Sequence, residues 1–394
     1  MDRQFSRFAL VAFPSTVTFT AYPRISFKTI LLTLSKPQVI KNHIIYNPFT
    51  SQFAIMTKFI ESDDDLPVCL NTTSKQVAVA KRLAQSHLNQ RAIKARGVAL
   101  QGFFSRTLIV TLDNKNQVII QLRVEPLDVS IFHHARQVLG DVVPNIAAIT
   151  DNALEAEGIY PYYMTFMPGD TWWRSPAFNN PELNNKCAIS LGRVLARGYV
   201  AYDNGAVVES NIIPNLKRIQ SAIDDSTNPE RASQLEPFRD DIQRMLETAD
   251  QLKILPLFIS HSDLNHVNIL VSRDGDVSGI VDWELSTDLP FGMAFHRIHD
   301  LVGRYRNGEF RMLEGFEVGE RGFWDAIFNG VPAEVRKVLN ENLHAIQMSV
   351  HIGTLLGTLD IEAPMFNAAA LKALPKFLSY QIPALRGNQP PFTK

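Results

Sequence analysis

Three side chains in the second half of the chain have the types and spacing of a cation site beside a base. The stretch HSDLNHVNIL, residues 261–270, opens with His261 and places the acid Asp263 five residues before the amide Asn268. A second acid, Asp282, follows in SGIVDWE, residues 278–284. LPLFIS before this stretch, and NILVS and GDVSGIVDW within and after it, are apolar runs that read as strands. Ser272-Arg273-Asp274-Gly275-Asp276 supplies a hairpin turn, with Gly275 free to take positive φ. A hairpin with Asn268 at its start and Asp282 at its end returns both oxygens to one edge, where they can share a cation. Magnesium accepts a few such ligands and keeps waters besides. Asp263, upstream on the loop, is then left to orient or deprotonate an acceptor hydroxyl. Phosphoryl transfer needs such an acid and such metal ligands, together with a cation or backbone donors on the phosphates. A lone H-x-D is common, whereas H-x-D-x-x-x-x-N followed by a hairpin and an Asp is far more specific. The plainer alternative is a polar turn that caps a hairpin.

HSDLNHVNIL and SGIVDWE, with FMPGD, LGRVLARGYVA and DLPFGMAF, resemble the aminoglycoside phosphotransferase and choline-kinase-like family, its fungal branch in particular. The likeness spans residues 90 to 360 or so, and its most specific part is 261–284. The resemblance implies a protein-kinase-like fold, ATP and Mg²⁺ as cofactors and a small hydroxylated acceptor. It implies Asp263 as catalytic base, Asn268 and Asp282 as metal ligands, and His261 as a brace for the loop. His266 has no assigned role. Asn265 either approaches the acceptor or stabilises the turn. Glu284 either reaches the metal through water or is a solvated turn acid.

The first half must supply the phosphate contacts, and there the pattern is thinner. Such folds place a Lys on the third strand, paired with a Glu on the following helix. Here the strand is VIIQLRV, whose alternation puts Ile119, Gln121 and Arg123 on one face and Ile120, Leu122 and Val124 on the other. Arg123 or Gln121 then stands in the Lys position, and arginine can bind phosphate bidentately. The alternative is an edge arginine facing solvent. The next helix, VSIFHHARQVLG, contains no acid, although Asp128 and Asp141 bracket it. Gly97 and Gly102 are the glycines near the expected phosphate loop, so Gly102, Ser105 and backbone amides would have to cover the phosphates. Adenine would lie against the connecting segment at Thr165 and Met167. Trp172 and Trp173 form either an aromatic cage for a quaternary ammonium or lobe-packing residues. Asp240, Asp241 and Glu247 either recognise a cationic substrate or form a solvated helix face.

The elements that position these residues divide in two. Residues 74–95 read as a helix capped by Ser74. VALQGFF, SRTLIVTL and NQVIIQLRV read as an antiparallel meander turning at Asp113–Asn116, 129–139 as a helix ending at Gly140, and 161–170 as a strand leaving by a Pro-Gly turn. Beyond about residue 170 helices dominate: NNKCAISLGRVLARGYVAY, 211–224, 236–253 and most of 294–385. The expectation is an α+β, two-lobed fold. A small antiparallel-sheet N-lobe at 56–168 precedes a larger, mainly helical C-lobe at 169–386, with a flexible tail at 387–394 and the ligand cleft between the lobes.

The chain has 394 residues, 45% hydrophobic and 20% charged, with a formal net charge of −1. That length suits two lobes, and the charge balance gives no sign of nucleic acid or an anionic membrane as a bulk partner. No uncharged apolar run approaches a membrane span. Cys69 and Cys187 are far apart and suggest a reducing compartment. Residues 1–55 are basic, hydroxyl-rich and free of acids after Asp2, which reads as a disordered or extraneous segment, or as mitochondrial targeting, with Met56 as an alternative start. The expected location is cytoplasmic, or mitochondrial if that segment is a targeting signal. The functional expectation is an ATP- and Mg²⁺-dependent phosphotransferase acting on a small-molecule hydroxyl. The rival is a pseudokinase-like nucleotide-binding or interaction module, which the absent helix acid favours.

Overall fold

The computed structural model describes residues 60–297, 303–306, 308–359, 366–389 and 392, together with a short backbone pairing of 45–46 with 53–54. The reading of residues 1–55 therefore lies almost wholly outside the described residues.

The first lobe begins with helix α1 (Thr73–Leu88), whose N-cap is Thr72 rather than Ser74. Thr72 accepts a hydrogen bond from the Lys75 amide. The helix stops at Asn89, which takes the left-handed conformation (φ 51°), so AIKARG forms a strand instead of extending the helix. Five antiparallel strands follow in the order β1-β2-β3-β5-β4. They are β1 (Ala92–Gly97), β2 (Ser105–Leu112), β3 (Gln117–Arg123), β4 (Ile146–Ala148) and β5 (Tyr160–Thr165). The expected alternation holds on β3. Ile120 and Leu122, with Val124 just beyond, join a core with Leu108, Val110, Ala80 and Leu83, while Gln121 and Arg123 take the other face. VALQGFF, expected as a strand, is instead the loop between β1 and β2.

Helix α2 (Ser130–Leu139) lies between β3 and β4 and ends at Gly140 (φ 78°). After β5 the chain turns at Gly169 (φ 106°) and enters β6 (Asp170–Thr171). Trp172, next in line, is fully buried, and its indole N–H donates to Asn184 at 3.1 Å. That is the lobe-packing role, and it removes the tryptophan pair from consideration as a cage.

The second lobe is built on α3 (Pro181–Leu195). Its apolar face, Ala188, Leu191, Val194 and Leu195, is buried as the spacing predicts. Ala201, in the run NNKCAISLGRVLARGYVAY expected to be helical throughout, lies instead on β7 (Tyr199–Ala201). Helices α4 (Ile213–Ile223), α5 (Arg239–Thr248), α6 (Phe316–Gly330), α7 (Ala333–Glu341), α8 (Leu343–Thr358) and α9 (Ala368–Leu378) complete it. A Cβ on Gly192 would lie 2.4 Å from the Phe323 carbonyl, so glycine is what lets α3 and α6 approach. Between α5 and α6 run four short strands: β8 (Leu257–Ser260), β9 (Ile269–Val271), β10 (Val277–Ile280) and β11 (Thr287–Pro290). Strand β8 pairs with β11 and β7, while the β9–β10 hairpin extends to β6. A further hairpin, Gly303–Arg306 with Glu309–Met312, interrupts the region expected to be helical. Phe392, in the segment expected to be flexible, bridges to Tyr380. Among the described residues no helix is long and apolar enough to cross a membrane.

Candidate active site

The loop between β8 and β9 is folded around one carbonyl. The side-chain amides of Asn265 and Asn268 both donate to the backbone oxygen of Asp263, at 3.0 and 2.9 Å. Asn268 also donates to the Asp263 carboxylate (Nδ2–Oδ2 3.2 Å). Asn265 accepts from the Val267 amide at 2.9 Å and is fully buried. It is therefore a turn-stabilising residue, the plainer of its two expected roles.

His261 and His266 hold this loop from two sides. His261 Nε2 lies 2.8 Å from the Val281 carbonyl, and its ring meets Trp283 edge-on with centroids 4.8 Å apart. A carbonyl can only accept, so Nε2 carries the proton. His261 thus ties the loop to the segment after β10, in keeping with a brace. His266 is fully buried between the rings of Trp172 and Phe178. Its Nε2 faces Arg304 at 3.3 Å, and its carbonyl accepts from the Trp173 amide at 3.0 Å. Nothing local to HSDLNHVNIL signals a partner 38 residues away.

The β9–β10 hairpin brings its two ends together as expected. Ile269 stands opposite Ile280, and the Val281 amide donates to the Asn268 carbonyl at 2.9 Å. Asp282 is the next residue. It has φ 71° and ψ 52°, a left-handed conformation that is uncommon outside glycine and costs strain. The Asp282 side chain is exposed, yet desolvation by the protein packed round it pushes its carboxyl up to about 7, and the neighbouring carboxylates of Glu284 and Asp263 push the same way against Arg123. Carboxylates crowded at the edge of a cleft beside an amide side chain have the chemistry a hard divalent cation takes, and its charge would relieve the crowding.

Arg123 reaches this group from the sheet above. It is buried, and its Nη2 pairs with Glu284 Oε2 at 2.5 Å. It is thus not a solvent-facing edge residue, and Glu284 is not a solvated turn acid. The remaining polar side chains on that face of the sheet form a ladder. Arg123 Nη1 lies 3.4 Å from Gln121 Oε1, and Gln121 Nε2 donates to Ser105 and Thr107 at 3.1 and 3.3 Å. The Ser105 hydroxyl is therefore drawn into the sheet rather than held over the loop. Gly102 sits within that loop, and Ser105 Oγ would lie 3.7 Å from a Cβ placed there.

Two supports that the sequence did not flag shape the loop. The Gln101 amide bonds inside it, donating to Thr107 O at 2.9 Å and accepting from Thr107 N at 2.8 Å. From outside, Ile60 N–H donates to the Phe103 carbonyl (2.7 Å), and Arg106 pairs with Asp63 at 3.0 Å. Thr165 ends β5 with both its amide and its hydroxyl bonded to the backbone of Asn145, each at 2.9 Å. Its N–H is therefore spent, which removes that donor from the expected adenine contact. Met167 packs on β10: a Cβ on Gly279 would lie 3.0 Å from its side chain. On α5, Asp241 pairs with Arg244 and Glu247 accepts from Gln243. Asp240 is exposed beside them, so this is the solvated helix face.

A small antiparallel sheet above a helical lobe, with this loop and hairpin below the sheet, is a protein-kinase-like architecture. Residues 101–293 match the model of the phosphotransferase enzyme family (APH). The match runs from Gly102 through Asp282 and bears out the resemblance seen in HSDLNHVNIL and SGIVDWE. Among curated proteins no sequence matches the chain. Of solved structures, it is similar to an ethanolamine kinase from Plasmodium vivax, at 14% identity and a TM-score of 0.44, covering 72% of this chain and 82% of that one. It is similar also to a macrolide 2′-phosphotransferase from Brachybacterium faecium, at 14% identity and a TM-score of 0.44, covering 80% and 99%. A third is an aminoglycoside phosphotransferase in a ternary complex with ADP and hygromycin B, at 11% identity and a TM-score of 0.45, covering 76% and 98%.

Proposed function

We propose that the chain is an ATP- and Mg²⁺-dependent phosphotransferase acting on a hydroxyl of a small molecule. The observation that carries this reading is the convergence of Asp263, Asn268 and Asp282. The Asn268 amide touches the Asp263 carboxylate while the Asn268 backbone pairs with the residue before Asp282. In this reading Asp263 accepts the proton of the acceptor hydroxyl as the hydroxyl oxygen attacks the terminal phosphorus and the bond to the bridging oxygen breaks, releasing ADP. Asn268 holds that carboxylate in place through its Nδ2. Arg123 donates to the phosphates: its Nε is buried and has no hydrogen-bond partner among the described residues. Magnesium, when bound, would be held by Asn268 and Asp282 and would neutralise charge on the phosphates. Gly102 and backbone amides of the loop at 101–104 would lie over the phosphates, and Met167 would flank the base.

The rival reading, a pseudokinase-like binding module, drew its support from the lack of an acid for Arg123. Glu284 supplies that acid, so the ground for the rival weakens. A thermal-shift titration with Mg²⁺–ATP tests the proposal first, because a ligand that binds the native state raises Tm. A screen of hydroxylated metabolites for ATP consumption then tests the transfer. A Tm unmoved by Mg²⁺–ATP refutes the proposal.

A further inference from the structure

The cation on β3 normally needs an acid behind it, and the helix that should provide one does not. Helix α2 has no acidic residue, and the two acids at its ends are engaged elsewhere. Asp128 accepts from the Ser130 amide at 2.9 Å, and Asp141 pairs with Arg136 at 2.5 Å. Arg123 instead pairs across the cleft with Glu284, 161 residues away, and both side chains are almost wholly buried. Glu284 sits in the single helical turn Trp283–Leu285 directly after Asp282. That turn is stiff, because the Trp283 indole is buried, donates to the Ile280 carbonyl at 2.7 Å and carries the His261 ring on its face.

We propose that Glu284 is the positioning residue for Arg123. It takes the place of the missing helix acid and fixes the phosphate-binding cation and the metal ligand Asp282 to one turn of the second lobe. The inference rests on the phosphotransferase reading above and goes beyond it. A guanidinium is a planar fork with donors on several edges. Glu284 occupies Nη2 and Gln121 lies at Nη1, and the Nε edge has no partner among the described residues. The ion pair thus orients the guanidinium without using all its donors. An acid on a mobile helix would let that helix decide when the cation is aligned. Here alignment depends on the two lobes being together, because the acid and the cation come from different lobes.

The test is a double-mutant cycle on the full chain, with Glu284→Gln, Arg123→Met and the double variant. Mg²⁺–ATP affinity and the unfolding midpoint without nucleotide are both measured. Glu284→Gln is chosen because it keeps shape and polarity while removing the charge. It is expected to weaken Mg²⁺–ATP binding by about tenfold in the native background and by less than about twofold in the Arg123→Met background. Strongly non-additive affinities of that kind support the proposal. Losses that add would mean that Glu284 acts on the metal site or on folding without Arg123, and would overturn it. A fall in the unfolding midpoint with unchanged affinity, a structural role only, would overturn it too. If the unaltered chain binds no Mg²⁺–ATP, the phosphotransferase reading falls and this inference falls with it. If the unaltered chain binds and the cycle is additive, this inference alone falls.

Discussion

Asp263 and Asp282 are both carboxylates in one cleft, yet the proposed reaction gives them different work. Asp263 is held by Asn268 at its carboxylate and by two amides at its carbonyl, so its position is fixed, as the proposed role at the acceptor requires. Asp263→Ala should slow transfer by about 10²–10⁴-fold and leave Mg²⁺–ATP affinity unchanged within error, measured by steady-state kinetics and calorimetry. Asp282 is exposed at the cleft, yet its carboxyl is pushed up to about 7 by the protein packed round it and by the carboxylates of Glu284 and Asp263. In the metal-free protein the native state therefore holds a proton on Asp282 that the unfolded state has already lost as pH rises through the ordinary carboxylate range. Stability from this residue falls as pH climbs from about 4 to about 7 and stays low above that. Asp282→Asn should accordingly melt higher than the native chain at pH 8 and nearly level with it at pH 4, while losing Mg²⁺-dependent nucleotide binding. Equal melting of the two at pH 8, or retained Mg²⁺-dependent binding, would contradict these roles. The loop residues were legible because their spacing is local, within 22 positions of one another. The bond between Arg123 and Glu284 was not, because no periodicity links residues on different lobes.

At the scale of elements, apolar runs either side of a polar turn marked β2 and β3, alternation assigned the faces of β3, a Pro-Gly turn marked the exit of β5, and the polar turn at Ser272–Asp276 marked the β9–β10 hairpin. Boundaries failed where one side chain overrode the run of apolar residues. Asn89 in a left-handed conformation ends α1 early, and Gln101 turns VALQGFF from a strand into a loop. The Gln101 amide satisfies the Thr107 backbone as a hairpin partner would, so the loop proposed to cover the phosphates is shaped by a side chain rather than by glycines. Gly97 makes room for it, since a Cβ there would lie 3.1 Å from Gln101 Nε2. Gln101→Ala should therefore free the loop and raise the KM for ATP several-fold, with kcat changed less than about twofold, because the lost groups order the loop and touch no reacting atom. A kcat loss as large as the KM change would place Gln101 in the chemistry instead.

At the scale of the whole molecule, a β-rich first half and a helical second half were readable from pattern alone. How the far end of the chain is held was not, because the contacts that hold it are charged and buried, a combination composition does not forecast. Arg386 and Glu320, both almost fully buried, pair beneath α6, with Arg386 Nη1 donating to Glu320 Oε1 at 2.7 Å. The Tyr380 hydroxyl donates to the same oxygen at 2.6 Å and accepts from the Trp324 indole at 2.8 Å. Burial and the adjacent Glu320 hold the Tyr380 phenol well above its ordinary range, so it stays a donor throughout neutral pH. This network fastens the last described segment to a helix that packs on α3, and thus to the lobe that carries the loop. Removing one partner leaves the other charge buried alone, which costs more than the intact pair contributes. Arg386→Met should lower unfolding stability by about 3–5 kcal/mol in urea titrations, and adding Glu320→Gln should restore part of that loss. If the segment only lay against the surface, the single change would cost under about 1 kcal/mol and the second would restore nothing.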